Sequence, residues 1–462
     1  MGELIAGVDS STQSVKIVVR DADTGELVAQ SRAPHPDGTE INPEIWWQAL
    51  QKVISDIGGL EKIKAIAIAG QQHGMVALDA SGEIIRPALL WNDTRSSKEA
   101  DDINREFPEI ASLTGSSLVA SFTASKVRWM ADHEPSNASR VAAICLPHDW
   151  LSWKLSGSRK IEEIFTDRSD ASGTGYFNPV TSEYLPDLFA KILRSDQRVH
   201  FPRIVSSNEF GAENPQGLKI GAGAGDNAGA GFGIQAEEGD VVVSLGTSGT
   251  AFAISHTSTH DSSGTIAGFA SVLGDFLPLV CTLNAARILD AATTMLGISH
   301  EKLGELALRA PAGACGLSLL PYFEGERTPN RPNATGVLAG LTVANSTQEN
   351  IARAYIEGML CGLADAVDAL ERANVEIKRV YLVGGAAKNP AVSQIASALF
   401  GREVLVPPAG EYVANGAARQ AAWALLGGDT PPQWNLGNVQ TVKTAATPEV
   451  LIAYRKLRDL TA

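Results

Sequence analysis

The feature that most constrains this chain is a short turn that occurs twice. One copy, Gly-Val-Asp-Ser-Ser-Thr-Gln-Ser, covers residues 7–14, and the other, Val-Ser-Leu-Gly-Thr-Ser-Gly-Thr, covers residues 243–250. Each copy lies between two β-rich runs, so each is predicted to be a tight turn between strands. Small side chains in such turns leave backbone N–H groups and hydroxyls available to phosphate oxygens. Either turn alone is better explained as an ordinary hairpin, and it is the pair that favours phosphate binding.

The two turns differ at one chemically important position. Aligning Thr12 with Thr247 places Asp9 opposite Ser244, so only the first copy carries a carboxylate. Mg²⁺ prefers oxygen ligands and is usually held by one or two carboxylates together with substrate phosphates. We therefore predict that the first turn can serve a metal and that the second can only bind phosphate.

Length and hydrophobic content indicate an ordinary globular protein with more than one domain. At 462 residues the chain is too long for a single core, and 44% of its residues are hydrophobic. Apolar runs stay short of the 18 or more residues of a membrane span, and the start Met-Gly-Glu-Leu-Ile-Ala lacks the layout of a secretory signal. These features predict a cytoplasmic protein.

The net charge bears on the possible partners, and the cysteines bear on possible disulfide and metal sites. A net charge of −14 opposes non-specific attraction to nucleic acid or to an acidic membrane, so neither is predicted as a partner. The four cysteines lack CxxC spacing and stand in apolar surroundings, which predicts reduced core residues without a thiol metal site. They are Cys145, Cys281, Cys315 and Cys361.

Strands and helices alternate along the chain, the pattern of α/β layers. A helix is predicted to open at Asn42-Pro43, another at Ser346-Thr347 with an end near Asn374, and a third at Asn389-Pro390. The predicted strands are Leu4 to Val8, Val15 to Val19, Leu27 to Gln30, Ile63 to Ala69, Val241 to Val243, Ala251 to Ile254 and Arg379 to Val383. A polar interruption at residues 235–240 predicts the domain boundary.

Glycine-rich segments are the other candidates for phosphate or nucleotide contact. The chain has no GxxxxGK[ST] motif, which excludes the commonest P-loop. Glycines at 229–233 lack the GxGxxG spacing after a strand, and helix packing explains them better. Gly384-Gly385-Ala386 follows a predicted strand, where bare backbone could approach a base or ribose. Simple packing of helix on sheet explains this last turn equally well.

Asp226 is the candidate for proton transfer. It follows a run of glycine and alanine, and small residues after it look like the first turn of a helix. A helix N-terminus stabilises an anion by about 0.3–1 kcal/mol, so we expect the Asp226 pKa near its ordinary value of about 4. The alternative is that Asp226 is an N-cap, the commoner role for such an aspartate.

A series of motifs in order along the chain resembles the FGGY carbohydrate kinases. The resemblance extends from about residue 4 to about residue 426. The motifs are Gly7-Val-Asp9-Ser-Ser-Thr12, Gly70-Gln-Gln72-His73-Gly74, Leu90-Trp91-Asn92-Asp93-Thr94-Arg95, Gly225-Asp226-Asn227, Leu245-Gly-Thr247-Ser-Gly249, Pro321-Tyr-Phe-Glu-Gly-Glu326-Arg327-Thr-Pro329, Gly336-Val-Leu-Ala-Gly340-Leu and Gly384-Gly-Ala-Ala-Lys-Asn389.

The resemblance implies two ribonuclease-H-like α/β domains of the actin, hexokinase and Hsp70 ATPase type, with the active site in the interdomain cleft. Residues 1–238 are then expected to form the N-terminal domain, with the sugar site, the first phosphate turn and the catalytic aspartate. Residues 239–427 are expected to form the nucleotide-binding C-terminal domain, followed by a tail at 428–462.

The resemblance also implies a role for each matching residue. Asp226 is expected to be the general base and to contact the sugar, and Asp9 is expected to act in catalysis beside the metal and phosphates. Gln72, His73 and Asn227 are expected to contact the ketose. Ser11, Thr12, Gly246, Thr247 and Ser248 are expected to bind the nucleotide phosphates, and Gly384, Gly385 and Asn389 the adenosine.

Within the family, the motifs are most similar to those of members that phosphorylate D-xylulose. The implied reaction uses ATP and Mg²⁺ as cofactors and a small-molecule ketopentose as acceptor, and a homodimer is the assembly we consider. Many such members carry Met where this chain has Gln72, so ribulose, L-xylulose and a tetritol stay open as acceptors. Glycerol kinases carry an Arg-Glu pair where this chain has His73-Gly74, which argues against glycerol.

Two functions of other classes fit the sequence less well than a kinase does. An ATPase acting on protein clients would need a further peptide-binding domain, and only about 36 residues follow residue 426. A non-catalytic sugar sensor would not be expected to retain Asp9, Thr12, Asp226 and Thr247 together.

Overall fold

The computed structural model describes residues 2–461, and their contacts divide the chain into two compact units. A single boundary near residue 238, as predicted, would give each domain one continuous segment. The contacts instead place a late helix, Tyr412–Leu426, with the first unit, because it packs on the first sheet. The first unit comprises Met1–Ala236, His256–Leu277 and Glu411–Asn435; the second comprises Glu237–Ser255, Pro278–Gly410 and Leu436–Ala462.

The first unit is built on a mixed sheet. Its strand order is β5-β6-β4-β1-β2-β3, and β7 also pairs with β4. The strands are β1 (Leu4–Ser10), β2 (Ser14–Asp21), β3 (Leu27–Pro34), β4 (Ile63–Gly70), β5 (Phe210–Glu213), β6 (Lys219–Gly221) and β7 (Ala224–Gly225). β1, β2 and β3 form an antiparallel meander, whereas β4 runs parallel to β1, β6 and β7.

The second unit repeats this plan with the order β10-β9-β8-β11-β12-β13. The strands are β8 (Asp240–Leu245), β9 (Gly249–Ala253), β10 (Phe276–Thr282), β11 (Arg379–Val383), β12 (Val404–Val406) and β13 (Gln440–Val442). An antiparallel meander is again followed by two parallel pairings and one antiparallel edge strand. Each sheet therefore carries its turn between the first two strands of a meander, as the duplicated sequence predicts.

The helices complete the α/β layers. Those that pack on or beside the sheets are α1 (Pro43–Asp56), α2 (Pro147–Ser156), α3 (Arg168–Ala171), α4 (Asp226–Gly233), α5 (Gln348–Arg372), α6 (Pro390–Phe400) and α7 (Tyr412–Leu426). The remaining helices are Ser97–Glu106, Ile110–Thr114, Thr123–His133, Pro135–Ala138, Pro186–Leu193, Ala286–Leu296, His300–Arg309 and Pro448–Leu460. Further short strands are Glu40–Ile41, Val76–Leu78, Ala88–Leu89, Ala143–Cys145, Phe165–Thr166, Phe177–Asn178, Glu183–Tyr184, Arg203–Ile204, Ala267–Ala270, Ser318–Leu320 and Val337–Ala339.

Three helices begin directly after a residue whose side chain caps the helix. Asn42 accepts a hydrogen bond from the N–H of Glu44, and Asn389 accepts one from Ala391, so both predicted starts are confirmed. The long helix α5 is capped by Thr347, which accepts from Asn350. The prediction that Ser346 opens this helix is therefore wrong by one residue.

Glycines allow α7 to approach both β1 and α4 in the first unit. A Cβ on Gly7 would lie 2.0 Å from the carbonyl oxygen of Ala414, and one on Gly416 would lie 1.9 Å from that of Gly229. Distances this short cannot accommodate a side chain without moving backbone. The glycine-rich run at 229–233 is helix α4, so its interpretation as helix packing is confirmed.

The cysteines match the sequence prediction except at one position. All four cysteines are free, and three are buried, but Cys315 is exposed, so its prediction as a core residue is wrong. Among residues 2–461, no helix combines the length and the apolar character that a membrane crossing requires.

We predict that Gly416→Ala destabilises the protein, because the added methyl must displace the backbone of α4. The cost expected for overpacking is about 1–3 kcal/mol. Gly362→Ala in α5 is the matched control, since its Cβ would meet only the Tyr454 hydroxyl at 3.7 Å. Both changes gain helix propensity equally, so the difference in melting temperature isolates the close contact. Equal melting temperatures would contradict this account of the packing.

Candidate active site

The ends of three parallel strands meet at one edge of the first sheet. Ser10 of β1 pairs with Gly70 of β4, and Gly70 pairs with Gly225 of β7. The residues that follow these strands are therefore neighbours, as expected for the carboxyl ends of parallel strands. They are Ser11–Gln13 after β1, Gln71–His73 after β4 and Asp226–Asn227 after β7. The structure thus brings together the first-unit residues singled out from the sequence.

Asp9 carries a buried negative charge just before the first turn. It is 2% exposed, and its Oδ2 lies 3.1 Å from Lys16 Nζ, which also pairs with Glu411 at 2.8 Å. The Ser11 hydroxyl donates to the other carboxylate oxygen. Burial raises the pKa of Asp9, against the attraction of Lys16 and this hydrogen bond. Lys16 is the cross-strand partner of Asp9, so the hairpin supplies its own counter-charge.

Hydrogen bonds tie the first turn to the residues beside it. The indole N–H of Trp91 donates to Thr12 Oγ1 at 2.8 Å, and Thr12 Oγ1 donates to Gln71 Oε1 at 3.2 Å. A ring nitrogen of His35 lies 2.9 Å from the carbonyl oxygen of Ser11. A hydroxyl has one hydrogen to donate. The Thr12 side chain therefore links the turn to the end of β4. The backbone N–H of Thr12 is then the group that would donate to a ligand.

Asp226 is the first residue of α4, with Gly225 as the N-cap, so the alternative that Asp226 is itself the N-cap is wrong. Its half-buried carboxylate accepts from the backbone N–H and the side-chain amide of Asn227, each at 2.8 Å. Burial and the charge of Asp9 raise its pKa to about 7. The expectation of an ordinary pKa near 4 is therefore wrong, because these two effects exceed the stabilisation given by the helix N-terminus.

Gln72 is held by a residue nearly one hundred positions away. Its Nε2 donates to the carbonyl oxygen of Ser169 at 3.0 Å, and the backbone N–H of Gly225 donates to Ser169 Oγ at 3.1 Å. A Cβ on Gly225 would lie 2.8 Å from Gln72 Cγ, so only glycine lets the two approach. Ser169 therefore supports both the side chain of Gln72 and the strand that leads into Asp226.

His73 adopts a backbone conformation that is uncommon outside glycine. Its φ is 69°, and its carbonyl oxygen accepts from Thr123 Oγ1 at 3.1 Å and from Lys126 Nζ at 3.2 Å. Its Nδ1 lies 2.6 Å from the carbonyl oxygen of Gly173, which makes that nitrogen the donor. The ring packs 4.8 Å from Phe122, centroid to centroid. Backbone and ring are thus both fixed by the surrounding protein.

Sequence reasoning missed the segment at residues 167–173, Asp-Arg-Ser-Asp-Ala-Ser-Gly, which we call the support segment. It begins with Asp167, which caps α3 by accepting from the N–H groups of Ser169 and Asp170. Asp167, Ser169 and Asp170 are fully buried. The density of polar residues in a buried place is the only local signal, and it cannot be recognised before burial is known.

The second unit carries the other turn and a neighbouring glycine turn. Gly246 and Thr247 are exposed at the tip between β8 and β9, and Ser248 is half-buried. β11 runs parallel to β8 and ends in Gly384, whose φ is 99°. A Cβ on Gly384 would lie 2.5 Å from the carbonyl oxygen of Leu245, whereas one on Gly385 would meet nothing within 4 Å. Packing therefore requires glycine at position 384, whereas a side chain at position 385 would have room.

Asn389 uses both ends of its amide within the second unit. Its Oδ1 caps α6 through the N–H of Ala391, and its Nδ2 donates to the carbonyl oxygen of His300 at 2.8 Å. The side chain is therefore a structural connector between two helices. A role in adenosine binding stays a prediction.

Two groups of side chains could be considered for a metal. Asp9 and Asp226 offer carboxylate oxygens at one sheet edge, which suits Mg²⁺ completed by water and phosphate. The other group among the described residues comprises His148, Asp149 and Asp170, whose ligand atoms lie within 4.8 Å of one another. There, His148 Nδ1 lies only 2.6 Å from Asp170 Oδ2, the distance of a direct hydrogen bond. We therefore regard the second group as an ion cluster.

Comparison with known families assigns most of the chain to one family. Residues 4–233 match the N-terminal domain of the FGGY family of carbohydrate kinases, and residues 241–425 match its C-terminal domain. The chain belongs to the FGGY family of carbohydrate kinases. The resemblance inferred from the motifs and the α/β fold with two sheet-rich domains are both confirmed. The FGGY carbohydrate kinases take the phosphoryl group from ATP.

Three of the similar proteins are xylulose kinases. A xylulose kinase of Streptomyces coelicolor is 40% identical, covering 94% of this chain and 91% of the relative. A xylulose kinase of Streptomyces rubiginosus is 39% identical, covering 93% and 89%. The crystal structure of a xylulose kinase from Bifidobacterium adolescentis has a TM-score of 0.91 and 42% identity, covering 99% of each chain. The FGGY kinase described here thus has full-length relatives of known fold.

The raised pKa of Asp226 predicts a pH-dependent cost to stability. Its folded pKa of about 7 lies above the ordinary value of 3.8, so its contribution to stability is present below about pH 4 and is lost as the pH rises through about 7. A rise of about 3 units corresponds to at most about 4 kcal/mol. Asp226→Asn does not titrate, so its stability relative to wild type should increase from about pH 5 to about pH 8. Denaturant unfolding at both pH values measures this, and a constant difference would contradict the raised pKa.

Proposed function

We propose that this FGGY kinase transfers the γ-phosphoryl group of ATP to the terminal hydroxyl of D-xylulose, giving D-xylulose 5-phosphate and ADP. The observation that carries the proposal is the placement of Asp226 beside Gln72 and His73 at one sheet edge, with a pKa of about 7. The relatives named xylulose kinase support the choice of sugar.

Asp226 is the proposed general base. A base works best when its pKa lies near the operating pH, and a value of about 7 meets that condition. Its Oδ1 is held by Asn227, which fixes the direction in which the carboxylate faces. Such a base typically contributes about 10²- to 10⁴-fold in rate. The remaining acceleration in phosphoryl transfer comes from positioning and charge stabilisation.

Gln72, His73 and Asn227 are the proposed sugar contacts. With Nδ1 donating to Gly173, a neutral imidazole has Nε2 as its acceptor nitrogen. Gln72 and Asn227 each carry an amide that can hydrogen-bond a polyol. Because the support segment fixes Gln72 and His73 from behind, the sugar would meet groups already oriented for it.

The two turns are the proposed phosphate contacts. Ser11 and Thr12 of the first turn and Gly246, Thr247 and Ser248 of the second are proposed to contact phosphate oxygens. Gly384, Gly385 and Asn389 are proposed for the adenosine. Asp9 would hold Mg²⁺, which when bound neutralises charge on the phosphates. Since Asp9 is buried and already paired with Lys16, its carboxylate is fixed in place before any metal arrives.

We also propose that the enzyme works in the cytoplasm. The donor ATP is available there, and a reducing compartment suits four free cysteines.

The test is a panel of pure sugars with ADP detection, run with and without Mg²⁺. D-xylulose should give the highest kcat/KM, and D-ribulose, L-xylulose, a tetritol and glycerol should follow. Asp226→Asn, measured in the same assay, should lose about 10²-fold or more in kcat, because the amide cannot accept the proton. Its sugar affinity, measured by calorimetry, should stay close to that of wild type. Another preferred sugar would overturn the choice of D-xylulose, and a variant with more than about a tenth of wild-type kcat would remove Asp226 from the role of base.

His73→Ala tests the sugar contact. Removing one buried partner of a sugar hydroxyl costs roughly 1–3 kcal/mol, so KM for the ketose should rise by about tenfold to a hundredfold. KM for ATP should stay near wild type. His133→Ala is the control, since its ring is 54% exposed and lies in the same unit. An unchanged ketose KM together with a lowered melting temperature would leave His73 with a structural role alone.

A further inference from the structure

Behind the candidate sugar site lies a buried ion cluster. His148 is fully buried, and its Nδ1 lies 2.6 Å from Asp170 Oδ2. Its Nε2 lies 3.3 Å from Asp149 Oδ1 and 3.3 Å from the carbonyl oxygen of Ala222. With a proton on both nitrogens, the imidazolium can donate in both directions at once. It then bridges two carboxylates and the backbone that leads into β7.

The ring packs directly against the sheet that carries the site. A Cβ on Gly223 would lie 2.4 Å from His148 Cδ2, and one on Gly70 would lie 3.1 Å from His148 Cβ. Gly223 thus lets the ring lie against the backbone before Asp226, and Gly70 lets the Cβ of His148 lie against the backbone before Gln72. A displacement of this ring is transmitted to both strands, because close-packed groups cannot move independently.

The other end of the cluster is the support segment. Asp170, which pairs with His148, is adjacent to Ser169, and Ser169 holds Gln72 Nε2 and the N–H of Gly225. Gly173, in the same segment, holds His73 Nδ1. A single short segment therefore connects the buried cation to both proposed sugar contacts.

The electrostatics of the cluster favour a cation at its centre. Burial opposes the charge of His148, but Asp149 and Asp170 outweigh it and raise its pKa to about 10. Burial raises the pKa of Asp170, and the hydrogen bond and the positive charge of His148 oppose that rise. A buried carboxylate that loses its partner is strongly destabilised and takes up a proton instead. Removing the cation would therefore change the charge and the hydrogen bonding of the support segment.

We propose that His148 is a positioning residue whose ion pair with Asp170 fixes the support segment, and through it the orientation of Gln72 and His73 toward the sugar. The inference rests on the proposed function, since those two side chains are the proposed sugar contacts. It assigns His148 no contact with the reacting atoms.

The test compares three variants with wild type on whichever sugar the wild-type enzyme phosphorylates best. His148→Gln removes the cation, and KM for the sugar should rise about tenfold, while KM for ATP stays within about twofold. His148→Lys keeps a positive charge that can pair with both carboxylates, so it should restore the sugar KM to within about threefold of wild type. Arg353→Gln is the control, because it removes a cation from a buried ion pair with Glu357 in the second unit. It should lower the melting temperature without moving the sugar KM.

Each outcome bears on one conclusion. A folded His148→Gln with an unchanged sugar KM, or with both KM values raised together, would overturn the positioning role. If His148→Gln does not fold, Asp170→Asn is used instead, because it keeps the size of the side chain and removes its charge. A sugar KM raised at least threefold, with KM for ATP unchanged, would support the positioning role. An unchanged sugar KM would refute it. A wild-type enzyme that prefers a sugar other than D-xylulose overturns the proposed substrate and leaves this test in force.

Discussion

The parallel pairing of β4 with both β1 and β7 is the constraint on which the candidate site depends. It sets Ser10, Gly70 and Gly225 side by side, so the residues that follow all emerge at one edge. A shift of one residue in either pairing would turn Asp9 or the residues after Gly70 to the opposite face. The glycines that let α7 approach β1 stabilise this register from behind. Gly7, which allows the close packing of α7, and Asp9, the proposed metal ligand, thus lie on the same strand.

The two hairpins differ in the charge of one cross-strand pair. In the first hairpin, Asp9 is paired across the strands with Lys16, whereas Ser244 is paired with Thr250 at the equivalent place in the second. The first hairpin therefore carries a buried anion with its own counter-charge, and the second carries neither charge. Burial raises the pKa of Asp226, and the charge of Asp9 raises it further. In the proposed reaction, Asp9 would hold the cation, and its negative charge would help Asp226 to accept a proton.

The sequence alone predicted the elements whose signals are local. Asn42 and Asn389 cap helices because a side-chain oxygen reaches the next N–H groups, and β11 was predicted with its observed bounds. Signals that depend on distant residues were missed. The hydrogen bond from Gln72 to Ser169 joins residues 97 positions apart, and the bond from His73 to Gly173 joins residues 100 apart. The pKa of Asp226 was misjudged for the same reason, since its helix position is local but its burial is not.

The polar character of the support segment has a physical reason. Apolar packing could hold Gln72 in place, but it would not select which end of the amide faces the proposed sugar site, because oxygen and NH₂ have nearly the same shape. The carbonyl oxygen of Ser169 accepts only from the NH₂ group, so it settles that choice. The carbonyl oxygen of Gly173 fixes the tautomer of His73 in the same way. Buried polar groups are costly unless each has a partner, so a segment that orients two side chains must itself be held. Asp167 holds it at its start, and the ion pair of Asp170 with His148 holds it at its centre.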